Sequence, residues 1–281
     1  MQVKKVGFIG LGEMGAFMAK NLVKKGFDLS VYDVMKEPVE ELRTLGARVA
    51  DSCQEVAEVS DVIISMVRDG FQTEDVLHGK NGVWEGVRRG SVIIISSTIA
   101  PLHCQRIAAE GIEAGIRVLD APVSGGRTGA EAGTLTVMVG GDKRDFEECR
   151  PIFEAMGKNI YYVGSAGMAE VTKLVNNLLC FINLAGLSDA IALGLKAGLE
   201  LETLLNVIRV STGDSHVAQN WDFVLTLTKE YSQRRHGSTF DILYKDMELA
   251  LKMAKELDQF LPVAGLCSQL DIAQFFPGVE R

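Results

Sequence analysis

The sequence predicts an α/β protein: a doubly wound parallel sheet over residues 1–164, then an all-helical domain over residues 165–281, linked by a long helix at about 167–197. Three observations predict it. Short Val- and Ile-rich runs alternate with helix-length stretches through the first half. A glycine-rich turn separates the first run from the first helix. Beyond Gly164 the strand-like runs stop and the apolar spacing becomes helical. Alternation of strands and helices implies parallel strands joined by right-handed crossovers.

Taken in order, Val3–Ile9, Leu29–Tyr32, Asp61–Val67, Ser91–Ser97 and Arg117–Ala121 read as strands. They are rich in β-branched residues and bounded by Gly, Asp or Ser. Ala16–Lys25 and Lys36–Leu45 read as helices between them. Ser52 and Glu55 have the spacing of a capping box, which predicts another short helix. Pro101 suits the first turn of a helix running towards Gly115. Leu135–Gly140 and Ile160–Val163 read as late strands of the same sheet. From Met168, apolar Val171, Leu174, Val175, Leu178 and Leu179 recur three and four residues apart. Apolar residues cover more than one face of this helix, which predicts burial between other helices or subunits. Leu201–Val210, Phe240–Leu257 and Val263–Phe275 complete the helical domain.

Composition excludes several function classes. Of 281 residues, 47 % are hydrophobic and 23 % charged, which supplies ample core and argues against disorder. Lys plus Arg number 29 and Asp plus Glu 37, a net charge of −8. An acidic chain without a basic block is a poor ligand for nucleic acid or an anionic membrane. The apolar stretch Leu178–Leu199 carries Asn183, Asp189 and Lys196, so it reads as a buried helix and not as a membrane span. The apolar run near Met1 is short and is broken by Gly10, Gly12 and Glu13, so no export signal is expected. Cys53, Cys104, Cys149, Cys180 and Cys267 are scattered and odd in number, which points to reduced thiols and a cytoplasmic location. His78, His103, His216 and His236 have no zinc-ligand spacing, and no metal is expected.

The first chemical signal is the run Gly10, Leu11, Gly12, Glu13, Met14, Gly15. It follows a strand and opens a helix. In such a turn Gly10 permits the bend, Gly12 lets the backbone approach a pyrophosphate, and Gly15 allows close helix–strand packing. Asp33 ends the next strand, where a carboxylate accepts hydrogen bonds from a ribose hydroxyl and repels a 2′-phosphate. The context is that of a Rossmann dinucleotide-binding domain. It favours NAD, with NADP kept open by Lys36 and Arg43. Asp33 also has a plainer reading, as a helix cap. Met66 and Val67 end one later strand, and Thr98 follows another. Ligands collect at the carboxyl ends of parallel strands, so all three are candidate cofactor contacts. Thr98 reads equally as the N-cap of the Pro101 helix.

The segment from Asp120 through Ala121, Pro122, Val123, Ser124, Gly125 and Gly126 is more specific. With Gly129-Ala130, Gly133, Leu135 and Met138 to Gly141, it resembles the β-hydroxyacid dehydrogenase family, which includes 3-hydroxyisobutyrate dehydrogenase and tartronate semialdehyde reductase. The start of the chain, Gly10 to Leu22, is similar to the family's start, and Lys173, Asn176 and Asn177 are similar to its catalytic helix. Lys245-Asp246 is similar to a late cofactor- or substrate-facing pair. The resemblance implies hydride transfer between a nicotinamide cofactor and a small 3-hydroxy acid, or back from its semialdehyde or keto form. It implies that Ser124, Gly125 and Gly126 hold the substrate carboxylate. It makes Lys173 the general acid/base, Asn177 the group holding the substrate oxygen, and Lys245 a cofactor or substrate contact. It also implies a homodimer or homotetramer.

The residues agree with those roles. A Ser-Gly-Gly turn offers a hydroxyl and open backbone N–H groups to an anion. Lys173 and Asn177 are four apart and share a helix face; Asn176 should point elsewhere, capping or bridging nearby backbone. Burial beside an apolar cofactor would disfavour a charged lysine and fit it for proton transfer. Lys245 alternatively pairs with Glu248 or Asp241. Arg127 adds positive charge beside the turn or is simply solvated. Three departures stand out: Ala169 where relatives often have Gly, Val67-Arg68 where they often have Leu-Pro, and Ser238 where many have an aromatic, here followed by Phe240. Rival activities are weaker. An oxidative decarboxylase of the 6-phosphogluconate dehydrogenase kind has a longer helical region. An imine reductase or a non-catalytic dinucleotide-binding protein would usually have lost Lys173.

Overall fold

A computed structural model of the chain describes residues 5–222, 224–226 and 239–270. Val3, Ser238 and the stretch 271–275 of the last predicted helix lie outside the described residues. The chain forms two compact units, Met1–Lys173 and Leu174–Arg281. The division falls inside the long helix, past the sheet end near Gly164 where the change of apolar spacing placed it.

The first unit is built on one nine-stranded sheet. Its strands are β1 (Lys5–Ile9), β2 (Asp28–Tyr32), β3 (Arg48–Val49), β4 (Val62–Ser65), β5 (Val92–Ile95), β6 (Arg117–Asp120), β7 (Val123–Ser124), β8 (Leu135–Gly140) and β9 (Gly157–Gly164). The order is β3-β2-β1-β4-β5-β6-β8-β7, with β9 also on β8. β1 to β6 are mutually parallel, whereas β8 runs antiparallel to β6 and β7. The order reverses between β1 and β4, which is where a doubly wound sheet opens a crevice for a ligand.

Two-residue periodicity sends alternate side chains to opposite faces. Val6, Phe8, Val31, Ile64 and Ile94 join one core with helices α1 (Gly15–Lys24), α2 (Lys36–Thr44), α7 (Gly126–Ala132) and α8 (Lys143–Met156). Ile9, Ile63, Ile93, Ile95 and Val118 join a second core on the other face. That face is covered by α3 (Cys53–Val59), α4 (Gly70–His78), α5 (Val83–Gly86) and α6 (Pro101–Ala114). The Ser52 hydroxyl caps α3 by accepting from the Glu55 N–H at 3.1 Å. The N-cap of α6 is Ala100, without a side-chain bond, so the capping reading of Thr98 is corrected. Proline at the first helical position leaves the cap to the residue directly before it.

The second unit contains only helices among its described residues. Helix α9 (Met168–Lys196) starts in the first unit and continues into the second. It is followed by α10 (Leu201–Arg209), α11 (His216–Gln219), α12 (Thr239–Glu256) and α13 (Pro262–Cys267). Phe181, Leu184, Leu187 and Ile191 of α9 pack with Leu205, Trp221, Phe240 and Met247. The opposite face of α9 leaves Val175, Leu179 and Leu193 exposed, so the helix is buried along one side and not all round. By length and composition alone it is long enough to cross a membrane. The last described helix ends at Cys267, where the predicted run continued, and beyond it the Leu270 carbonyl accepts from the Tyr244 hydroxyl at 2.9 Å.

Candidate active site

Because β1, β2, β4, β5 and β6 are parallel, their carboxyl ends share one edge of the sheet. The glycine loop, Asp33, Met66, Val67 and Thr98 all leave that edge. Gly10 has φ +93°, and a Cβ there would lie 2.2 Å from the Met66 carbonyl oxygen. A Cβ on Gly15 would lie 2.0 Å from the Gly10 carbonyl oxygen. Gly15 thus closes helix α1 onto its own loop. A Cβ on Gly12 would meet nothing within 4 Å. The chain forbids side chains at Gly10 and Gly15 by its own packing, whereas Gly12 faces open space. Glu13 is exposed and Met14 half-buried. Met14 caps α1 without a side-chain bond, and the first turn carries no acid. A helix start left in this state is suited to an anion such as a pyrophosphate, so the residues present fit a dinucleotide.

Asp33 spans two elements. Its Oδ2 accepts from the Leu11 N–H at 2.5 Å and its Oδ1 from the Met35 N–H at 2.7 Å. The cap of α2 is Met35, so Asp33 braces the glycine loop instead of capping that helix. A carboxylate has about four acceptor sites, which leaves room for a ribose hydroxyl. Leu11 spends its N–H on this brace and its side chain is buried, so its part is to hold the loop. The Val67 N–H donates to the Ser97 hydroxyl at 2.8 Å, tying the β4 and β5 ends together.

Asp120 and Ser124 bracket the second group. Gly125 (φ +129°) and Gly126 (φ +60°) take the left-handed region and are exposed, with Ser124 half-buried beside them. The Asn21 side chain donates to the Ala130 carbonyl at 2.7 Å. That buried bond clamps α7, and the turn ahead of it, against the dinucleotide-loop helix α1. Arg127 is exposed, its guanidinium 5.4 Å from the Phe17 ring centre.

The start of α9 is fastened to the same edge. Asp120 is fully buried; its Oδ1 accepts from the Gly167 N–H at 2.9 Å, and its Oδ2 from Ala169 at 2.9 Å and Glu170 at 3.1 Å. Burial pushes this carboxyl up even against three N–H donors. Glu170, also fully buried, accepts from the Ile99 N–H at 3.1 Å. Burial, together with the Asp120 and Glu170 carboxylates, pushes the Cys104 thiol well up. Lys173, one turn further along α9, is 9 % exposed. Sequence reasoning missed the roles of Asn21, Asp120 and Glu170, whose partners lie 109, 47 to 50 and 71 residues away.

In the second unit, Asn177 donates to Asp246 Oδ2 at 2.6 Å and accepts from Asn176 Nδ2 at 3.1 Å. Asn176 therefore orients its neighbour, the two adjacent side-chain amides meeting on the helix. Lys245 Nζ lies 2.8 Å from Asp246 Oδ1, at ion-pair distance but outside hydrogen-bond alignment. The adjacent Asp246 is thus one acidic neighbour of Lys245. These contacts fix the Asn177 amide and leave its second N–H to donate elsewhere.

Residues 5–164 match the family described as the NAD binding domain of 6-phosphogluconate dehydrogenase. Residues 167–274 match the NAD-binding domain of NADP-dependent 3-hydroxyisobutyrate dehydrogenase. The chain belongs to the β-hydroxyacid dehydrogenase family. Its similar relatives include 2-(hydroxymethyl)glutarate dehydrogenase of Eubacterium barkeri, 38 % identical over 95 % of this chain and 87 % of the relative. NAD-dependent L-serine dehydrogenase of Pseudomonas aeruginosa is 38 % identical over 95 % of this chain and 91 % of the relative. The solved structure of Mycobacterium tuberculosis 3-hydroxyisobutyrate dehydrogenase with L-serine has TM-score 0.82 and 28 % identity, covering 97 % of this chain and 98 % of that one. As a β-hydroxyacid dehydrogenase this chain is an NAD(P)-dependent dehydrogenase or reductase with the two-part architecture predicted from its sequence.

Proposed function

We propose that the protein interconverts a small 3-hydroxy carboxylic acid and its semialdehyde or keto form, with NAD as the preferred dinucleotide and Lys173 as general acid/base. The observation that carries this is a buried lysine near the start of a helix that Asp120 fastens to the edge bearing the glycine loop. A bound nicotinamide supplies the hydride acceptor or donor. In oxidation Lys173 takes the proton of the substrate hydroxyl, and in reduction its ammonium returns it. The second N–H of Asn177 holds the reacting oxygen. Ser124 and the unencumbered backbone of Gly125 and Gly126 receive the carboxylate, and Lys245 contacts cofactor or substrate acid. The Asp33 carboxylate supports NAD over NADP, because a 2′-phosphate there would meet like charge.

The same reading includes a homodimer or homotetramer, supported by the exposed apolar face of α9, and a cytoplasmic protein, supported by five uncrosslinked cysteines. A monomer in light scattering at micromolar concentration would reject the oligomer. The test of the reaction is turnover with NAD and NADP over a panel of small 3-hydroxy acids and semialdehydes. Lys173→Ala should lower kcat by about 100- to 10,000-fold while dinucleotide Kd stays within about twofold. An active Lys173→Ala protein would overturn the assignment.

A further inference from the structure

We propose that Glu170 is a positioning residue that holds Lys173 in its ammonium form and so sets the protein, at neutral pH, to deliver a proton to the substrate oxygen. This rests on the role of Lys173 proposed above. Glu170 and Lys173 are three residues apart on α9, a spacing that makes helical side chains neighbours on one face. Both are buried, Glu170 completely. A fully buried carboxylate is costly unless it is hydrogen-bonded and faces positive charge. One hydrogen bond comes from the Ile99 N–H, which locates the carboxylate and ties the loop after β5, with Thr98 in it, to the first turn of α9.

Other titratable groups face this point. From β6, the Asp120 carboxyl is directed at the N–H groups of Gly167, Ala169 and Glu170. From α6, Cys104 faces both carboxylates, and burial keeps its thiol protonated and neutral. Lys173 supplies the positive charge on the same helical turn. An opposite charge within a few ångströms favours the charged form of a lysine, which works against the burial that would discharge it. Glu170 thereby decides which of two opposed effects governs the proton donor. The consequence is directional. Reduction, which consumes a proton from Lys173, is ready at neutral pH. Oxidation, which needs the free amine, gains with rising pH.

The test compares the full-length protein with Glu170→Gln and Lys173→Ala, measuring pH profiles of kcat/KM in both directions and dinucleotide Kd. Glutamine keeps an acceptor for the Ile99 N–H and removes only the charge. In Glu170→Gln the acidic limb of the oxidation profile should move to lower pH by about one unit or more, with Kd within about twofold. A limb that stays in place, while Lys173→Ala is inactive, overturns the role of Glu170 and leaves that of Lys173 standing. An active Lys173→Ala overturns both. Should Glu170→Gln not fold, Glu170→Asp keeps the charge and withdraws from Ile99. Its limb should then stay within a few tenths of a unit while kcat falls, and a downward shift in that variant overturns the proposal.

Discussion

Replacing Asp120 with asparagine tests how the long helix is held. The wild-type carboxylate is fully buried and accepts three backbone N–H groups, one on Oδ1 and two on Oδ2. Asparagine has a single acceptor oxygen. Turned towards Ala169 and Glu170, it points an amide N–H₂ at the Gly167 N–H, donor against donor. The loss is one hydrogen bond to a charged group, worth about 1.5–3 kcal/mol, and one buried N–H left unsatisfied, worth about 1–3 kcal/mol. The two costs overlap, so about 3 kcal/mol is expected. A unit of this size loses about 2–4 °C in Tm per kcal/mol, hence about 6–12 °C. Thermal melts by circular dichroism read this directly. Turnover should fall as well, because the first turns of α9 carry Glu170 and Lys173. A variant that melts within about 2 °C of wild type would refute the reasoning. It would mean that the buried carboxyl is protonated in the native protein, in line with the upward push of burial, and that asparagine simply replaces it.

Three other outcomes are expected. Gly15→Ala should destabilise by about 3 kcal/mol or more, since its Cβ would sit 2.0 Å from a backbone oxygen. Gly12→Ala should leave the melt within about 1 °C but weaken dinucleotide binding at least about tenfold by titration, and equal effects of the two substitutions would contradict the division of labour in the loop. Asn21→Ala should cost about 0.5–1.5 kcal/mol in urea unfolding, from loss of its buried bond to the Ala130 carbonyl, which keeps the Gly133 N–H, and raise KM for the acid more than Kd for the dinucleotide; an unchanged KM would show that the clamp does not reach the turn. Burial pushes the Cys53 thiol up to about 11 and Cys149 to about 12, while Cys180 is only half-buried. Alkylation of the native protein at pH 8 should therefore mark Cys180 first by peptide mapping; earlier labelling of Cys149 would argue against its burial.

Much of this architecture was legible in the chain. The Val- and Ile-rich runs became β1, β2, β4, β5 and β6, because a strand buried on both faces needs continuous apolar residues. The two-residue strands β3 and β7 carry too little pattern to be read, and they exist only because a neighbour pairs with them. The glycine loop was legible because its constraint is local: Gly10 and Gly15 collide with atoms a few residues away or on the adjoining strand. Thr98 was given a capping role that register alone could have denied, since Pro101 leaves the cap to Ala100. Asp120 was legible as part of a motif but not as the anchor of α9. Nothing local in a strand-end aspartate says which helix start it will meet. Glu170 was passed over for the same reason, and because an acid three residues before a lysine is the commonest of surface patterns.

The brace made by Asp33 bears on redesign. Exchanging that acid for a small or basic side chain is the natural way to turn a chain of this kind towards phosphorylated dinucleotides. Here the exchange would do two things at once, because the same carboxylate proposed to meet the ribose also receives the Leu11 and Met35 N–H groups. A swap made on electrostatic grounds alone would slacken the loop proposed to hold the shared pyrophosphate and weaken the new cofactor along with the old. A successful switch of preference needs a second substitution that returns an acceptor to Leu11, and libraries that vary Asp33 by itself are built to miss it.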